Sequence, residues 1–389
     1  MKFFYIDFTL SVPTPQQKYH GGGNYTKNIV LNLIGKKEKE NKFILIFPNG
    51  FKPKSDVDKE IINSKSFDII YADSIVDVEY KTPAVLFIPL FFGFRCYKNV
   101  VILKNKYSLL KIYATIHDLR NFDYHGDKFE KYYNDFHLKE FIKKKLKRLF
   151  LLSVGKFYAK KAFLLLDKIF TVSNYSMQQI LSFCPEVNIQ LYYQSIIFRE
   201  PPIKEDNFKE DFLLFVSGNR PDKNLLRTLI AYQSYCNNYH PNVKLYITGI
   251  EEKLLEKFSR CKNFDYNKIR NNIKILNYVS DSQLILLYKK CRYLIYTSQS
   301  EGFGLPLLEA AIYGGKTAIA SNRTSIPEVL GSSVFYVSPN SIKSIYSGFV
   351  FFHKATNLED YTKRITNSIE NINEKMYYNL NAFFNDFFN

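Results

Sequence analysis

The sequence predicts an α/β protein of two domains, each organised around a parallel sheet. Three observations carry this expectation. The chain has 389 residues, more than one hydrophobic core normally serves. Short apolar runs alternate with helix-like stretches, the pattern of strand–helix–strand units. The alternation stops at a polar break, residues 200–210, and then starts again.

The first half opens with a strand at 3–8, a glycine loop at Gly21-Gly22-Gly23 and a helix at 25–33. Ile29, Val30, Leu33 and Ile34 give that helix its apolar face. Further strands are expected at 43–47, 68–71, 85–88, 112–116 and 168–172. After the break, strands at 212–217, 244–248, 273–276, 293–297, 317–320 and 334–337 alternate with helices at 224–235, 282–290 and 306–313. Helices follow from residue 341, ending in the aromatic-rich stretch 383–388. The expected division is a first domain at 1–199, a linker at 200–210, a second domain at 211–345 and closing helices at 346–389.

Composition limits the function classes. No run reaches the ~18–20 apolar residues that a membrane span needs. The start, Met1 to Asp7, meets an acid at once and reads as a core strand rather than a signal peptide. The five cysteines are scattered without metal-ligand spacing, which suits a reducing cytoplasm. The formal net charge is +17, which fits nucleic acid, an anionic membrane or phosphorylated small molecules as partners. Richness in Lys, Asn, Ile, Tyr and Phe would also follow from an AT-rich genome, so part of the charge has a bland origin.

The strongest stretch for chemistry runs from Ser298 to Ala310. A buried strand ends, two glycines follow, and Pro306 stands where a helix would begin, a position where its missing N–H costs nothing. A helix N-terminus there would offer backbone N–H groups and a dipole to an anion. Glu301 and Glu309 flank it, and carboxylates accept hydroxyl hydrogen bonds. That combination suits a sugar–diphosphate–ribose ligand, although acids near helix starts are common in ordinary strand–loop–helix units. In a second stretch, Val216 to Asn224, a turn after a strand presents Arg220 and Lys223, which can grip phosphate oxygens. A solvated turn would look the same. Gly21 to Gly23 can bring backbone close to a ligand. His117 follows a strand end, where α/β proteins place ligands. Asp56-Val57-Asp58 reads as surface rather than as a metal site, because it does not end a strand.

Glu301 and Glu309, with seven residues between them including Gly302-Phe303-Gly304-Leu305-Pro306, resemble the Glu-x7-Glu motif of glycosyltransferase family four. The likeness continues to Ser325-Ile326-Pro327-Glu328-Val329, similar to the family's Pro-Glu-Val segment. Gly218 and Arg220 with Lys223-Asn224 resemble its Gly-Arg and Lys-Asn phosphate segment, with a shorter gap than usual. Val172-Ser173-Asn174-Tyr175-Ser176 is similar to a further family segment and is assigned mainly to structure and cleft lining.

The resemblance implies the GT-B fold: two Rossmann-like domains facing a cleft, with the closing helices returning to the first. It implies a retaining, metal-independent hexosyltransferase that needs no cofactor and uses a UDP- or GDP-linked sugar as substrate. Glu301 would contact sugar hydroxyls, and Glu309 the ribose. The amides of Phe303, Gly304 and Leu305 would face sugar and phosphates. Gly22 and Gly23 would face the donor phosphates, His117 would lie beside the transferred sugar, and Gly218, Arg220 and Lys223 would serve the phosphates. The acceptor would be a glycan or lipid-linked glycan of bacterial surface polysaccharide, at the inner face of the membrane. Residues 139–164, a basic run flowing into Leu149 to Leu152, would suit an interfacial helix on anionic lipid, and equally a solvated helix face. Two rivals stay open. One is a basic nucleic-acid- or glycan-binding protein, although no nucleic-acid module is recognisable. The other is a glycan phosphorylase, although no pyridoxal-binding lysine pattern is evident.

Overall fold

The computed structural model describes residues 2–12, 21–34, 41–53, 55–123, 126–133, 143, 146, 148–194, 211–355 and 359–388. The expected linker at 200–210 lies outside them. So does part of the basic stretch, including Lys144, Lys145 and Lys147.

The chain forms two compact units. Met1–Asp123, Lys144–Ile197 and Met376–Asn389 make the first, and Tyr124–Lys143 with Phe198–Lys375 make the second. The first sheet has seven parallel strands: β1 (Lys2–Asp7), β2 (Asn41–Phe47), β3 (Phe67–Tyr71), β4 (Ala84–Ile88), β5 (Leu110–Ile116), β6 (Lys168–Thr171) and β7 (Ile189–Leu191). Their order is β3-β2-β1-β4-β5-β6-β7. The second has six parallel strands: β8 (Phe212–Phe215), β9 (Lys244–Thr248), β10 (Ile273–Leu276), β11 (Leu294–Tyr296), β12 (Ala318–Ser321) and β13 (Phe335–Val337). Their order is β10-β9-β8-β11-β12-β13.

Helices cover both faces of such sheets, so central strands are buried throughout and read as unbroken apolar runs. Ala84–Ile88 and Phe212–Phe215 are buried at every residue. In each sheet the winding reverses beside the first strand, between β1 and β4 and between β8 and β11. Chain crossovers diverge at these switch points and leave a crevice beyond the carboxyl ends of the strands. Both units are therefore Rossmann-like, as expected. Their switch points place the loops after β8 and β11 beside one another.

Four expectations need correction. Gly21 to Gly23 form the first turn of helix Gly21–Leu33 rather than a loop. The first N–H groups of a helix have no intrahelical partner, so few bonds are at stake where glycine is weakest. Of the Asp-x-Asp pair, only Asp56 is at the surface. Asp58 is buried, because Ser55 and Asp58 form a capping box that starts helix Asp56–Asn63 and turns the carboxylate onto Lys27 at 2.7 Å. Helix Ile342–Lys354 and the chain to Lys375 stay with the second unit, whereas closing helices were expected to leave it from 346. The reason is aromatic packing: Phe349 lies 5.5 Å from both Tyr232 and Tyr235, ring centre to ring centre, on helix Leu225–Tyr239. Finally, residues 126–133, in the first half of the sequence, belong to the second unit.

The end of helix Glu359–Phe388 does return to the first unit. Phe383 meets Phe170 at 4.7 Å in a tilted arrangement, and Phe387 meets Phe4 and Phe87 at 5.3 Å each. Lys2 and Lys168 donate to the carbonyls of Phe388 and Asp386 at 2.9 and 2.6 Å. Phe387 is fully buried. Phe387→Ala should therefore destabilise the first unit by about 3–5 kcal/mol, seen as a lower denaturant midpoint for its tryptic resistance.

Candidate functional site

The loop after β8 runs from Val216 to Asn224, and the loop after β11 from Thr297 to Gly304. Their buried groups meet at one ion pair. Lys223 Nζ donates to Glu301 Oε1 at 2.5 Å, and both side chains are 9% exposed. Ser298 Oγ donates to the same oxygen at 2.5 Å. The Lys223 ammonium also lies 5.5 Å from the Tyr296 ring centre, within cation–π range. Such a charged pair is tolerable in a buried place only because each partner neutralises the other.

The backbone around this pair is held in uncommon conformations. Among the described residues, four non-glycine positions have positive φ: Ser217, Asn224, His240 and Thr324. Three of them border the pair or its supporting loop, and such strain gathers at functional sites. Asn224 adopts φ 69° and secures the turn through its side chain, donating to the carbonyls of Thr297 at 3.0 Å and Pro339 at 2.7 Å. The Glu301 amide donates to Thr324 Oγ1 at 3.2 Å. The Ser325 hydroxyl holds the carbonyls of Glu301 at 3.0 Å and Phe303 at 2.8 Å.

Gly304 has φ +118°, a conformation open to glycine, and opens helix Leu305–Gly314 with Pro306 in its first turn. No side chain caps this helix. Pro306 has no N–H, and the Leu307 and Leu308 amides donate to the Gly304 carbonyl at 3.0 and 3.4 Å, so what this helix end offers an anion is mainly its dipole. Phe303 is buried and Leu305 half-buried. Gly218 serves packing: a Cβ there would come within 2.8 Å of Leu225 and 2.9 Å of Ile250.

Glu309 lies in the same helix, half-buried, and accepts a hydrogen bond from the Tyr288 hydroxyl at 3.0 Å. Burial raises its carboxyl to about 7; the Tyr288 bond opposes that rise, and Asp281 adds to it. Arg220 is half exposed, and its fork engages Asp222 at 3.0 and 2.5 Å. The guanidinium is thus held in place at the rim, and would have to share Asp222 with any phosphate.

The second unit thus brings Gly218, Arg220, Lys223, Glu301, Phe303, Gly304, Leu305 and Glu309 onto two neighbouring loops and one helix. Gly22, Gly23 and His117 belong to the first unit. His117 follows β5, with Nε2 3.0 Å from the Pro89 carbonyl and its ring edge-on to Tyr25 at 4.8 Å. Ser173 caps helix Asn174–Phe183, and Ser176 donates to the His117 carbonyl at 2.7 Å. The structural reading of the Val172–Ser176 segment agrees with these bonds. Among the described residues no cluster of three His, Cys, Asp or Glu could hold a metal.

Sequence reasoning gave no role to Ser298, Asn224, Ser325, Arg227 or Asp127. Asn224 and Ser325 stood inside quoted motifs. Asp127 had no signal, because it reaches the site from a hundred residues upstream of Arg227.

Residues 197–375 match a family described as "Glycosyl transferases group 1". The serotype-specific mannosyltransferase WbdA of Escherichia coli is 31% identical over 35% of this chain and 17% of its own length. The O-antigen chain mannosyltransferase RfbU of Salmonella typhimurium is 26% identical over 59% of this chain and 57% of its own. The chain therefore spans less than two thirds of these relatives. The structure of Alr3699/HepE from Anabaena, solved with UDP and glucose, superposes with a TM-score of 0.64 at 13% identity, covering 100% of this chain and 99% of that one. The fold is thus of the GT-B class, and the likenesses support a glycosyltransferase.

The raised Glu309 carboxyl gives a pH signature. The folded protein holds this proton more tightly than the unfolded chain, whose carboxyl titrates near 4.5. The contribution favours folding below that value and is lost as pH rises toward about 7. Between pH 5 and 7 the melting temperature of Glu309→Gln should therefore fall less steeply than that of wild type. Parallel curves would place the Glu309 carboxyl in its ordinary range.

Proposed function

We propose that this chain is a retaining, metal-independent hexosyltransferase of the Glu-x7-Glu type. It would pass a sugar from a UDP- or GDP-linked donor to a growing surface polysaccharide of the O-antigen kind. Mannose is the sugar that the relatives' names carry. One observation supports this reading above the others: the buried Lys223–Glu301 pair sits beside an uncapped helix N-terminus, at the switch point of the unit matching the glycosyltransferase family.

The chemistry follows from that arrangement. A donor diphosphate needs positive charge that strengthens as the sugar departs. The helix N-terminus, Lys223 and Arg220 would supply it without a metal. Glu301 would accept from sugar hydroxyls and Glu309 from ribose hydroxyls. His117, Gly22 and Gly23 keep the donor-facing roles that the motif resemblance implies.

The acceptor side of the proposal includes an anionic membrane surface. Leu146, Leu149, Phe150, Val154, Phe157 and Leu164 are all exposed. Arg148, Lys160 and Lys161 are exposed among them. Phe94 joins the patch through Phe150 at 5.3 Å. Apolar side chains between cations match the boundary between acyl chains and anionic headgroups. No helix among the described residues is long and apolar enough to cross a membrane, so this would be surface docking.

Glu301→Ala should reduce sugar transfer at least a hundredfold while the protein still folds. Full turnover in that variant would remove Glu301 from the site. Phe157→Ser with Lys160→Glu and Lys161→Glu should abolish flotation with phosphatidylglycerol vesicles, leaving transfer to a water-soluble acceptor intact. Equal flotation of the wild type with neutral phosphatidylcholine vesicles would contradict charge-guided docking.

A further inference from the structure

We propose that Asp127 is a positioning residue for the donor site, holding the Lys223 turn and the Glu301 loop in register from a segment threaded in from the first half of the sequence. The inference rests on the donor site proposed above and adds to it a residue outside every motif.

Residues 126–133 are anchored in the second unit by their own side chains. Phe129 and Tyr133 are part of its core. The Leu226 amide donates to Tyr133 Oη at 3.3 Å, and the Tyr133 ring meets Phe258 edge-on at 4.8 Å. This anchoring presents Asp127 to Arg227, whose side chain is 3% exposed. Arg227 Nη2 donates to Asp127 Oδ2 at 2.6 Å, and its guanidinium lies over the Phe129 ring at 4.8 Å.

Arg227 passes this anchoring on. Its Nη1 donates to Asn224 Oδ1 at 2.5 Å, which orients the amide that Asn224 donates to Thr297 and Pro339. Asn224 is the residue after Lys223. A second branch reaches the other loop through the same Asn224: Gln299 Nε2 donates to Asn224 Oδ1 at 3.4 Å, and Gln299 stands two residues before Glu301. Burial alone would raise the Asp127 carboxyl, but the bonds from Arg227 and Phe129 outweigh it and hold it below the usual range. Asp127 is therefore charged at neutral pH, when Arg227 needs a counter-ion. Both halves of the Lys223–Glu301 pair trace back to this one carboxylate.

A residue that only stabilised the unit would affect folding and leave a folded site unchanged. A positioning residue would affect the site even after stability is restored. Two variants separate these roles. Asp127→Asn leaves Arg227 buried without its counter-charge. Asp127→Leu with Arg227→Met removes both charges, and replacing a buried ion pair with apolar groups of similar size often preserves stability. The experiment measures the melting temperature, the Kd for UDP and GDP by calorimetry, and kcat with the productive donor. The expected result is a lower melting temperature and at least tenfold weaker nucleotide binding for Asp127→Asn. The double variant should regain wild-type melting while binding stays at least tenfold weak. A double variant that melts and binds like wild type would overturn the proposal, as would unchanged binding in Asp127→Asn. Wild-type protein that binds neither nucleotide would instead overturn the donor site itself, and this proposal with it.

Discussion

The second unit is arranged to keep one ammonium and one carboxylate together where water is nearly excluded. Removing either Lys223 or Glu301 would leave its partner as an uncompensated buried charge, a loss of roughly 3–5 kcal/mol. The surrounding backbone reflects that constraint. Asn224 takes a left-handed turn to deliver Lys223, and Gly304 takes one to start the helix beyond Glu301. Ser298, Thr324 and Ser325 each bond to Glu301, through its carboxylate, amide or carbonyl. Apolar residues of similar size would pack such a place more cheaply, so a pair kept here, next to an anion-attracting helix end, fits a role in binding.

The fold explains why these residues converge. Parallel strands require crossovers, and crossovers in opposite directions diverge at the switch point. β8 and β11 are neighbours there although 78 residues separate Lys223 from Glu301. The same logic in the first sheet sets His117 after β5 and ties it to the helix following β6 through Ser176. Lys223, Glu301 and His117 thus each follow the carboxyl end of a buried strand, with their position set by the sheet and their chemistry left to the loop.

Much of this was legible in the sequence because parallel strands are unbroken apolar runs. Ala84–Ile88 and Phe212–Phe215 have almost no polar residues to mask them. β7, Ile189–Leu191, escaped because two half-buried residues around an exposed Gln190 leave no such run. The Glu301–Glu309 spacing, the two glycines and Pro306 were readable because their conformations depend on local chemistry. Asp58 was misread because its burial depends on Lys27, thirty-one residues earlier. Asp127 was invisible for the same reason, its partner Arg227 being distant in the chain. Local patterns showed which loops matter, while the long-range polar bonds that shape those loops left no local pattern.

The most direct test of the account is a thermal-shift series on the wild-type protein with UDP, GDP, ADP, dTDP and CMP, each with and without EDTA. A ligand that binds only the folded protein raises its melting temperature in proportion to affinity and concentration. UDP or GDP should raise the melting temperature clearly above the others, and EDTA should change nothing. No shift with any nucleotide, or a shift abolished by EDTA, would contradict a metal-independent donor site built on Lys223 and Glu301.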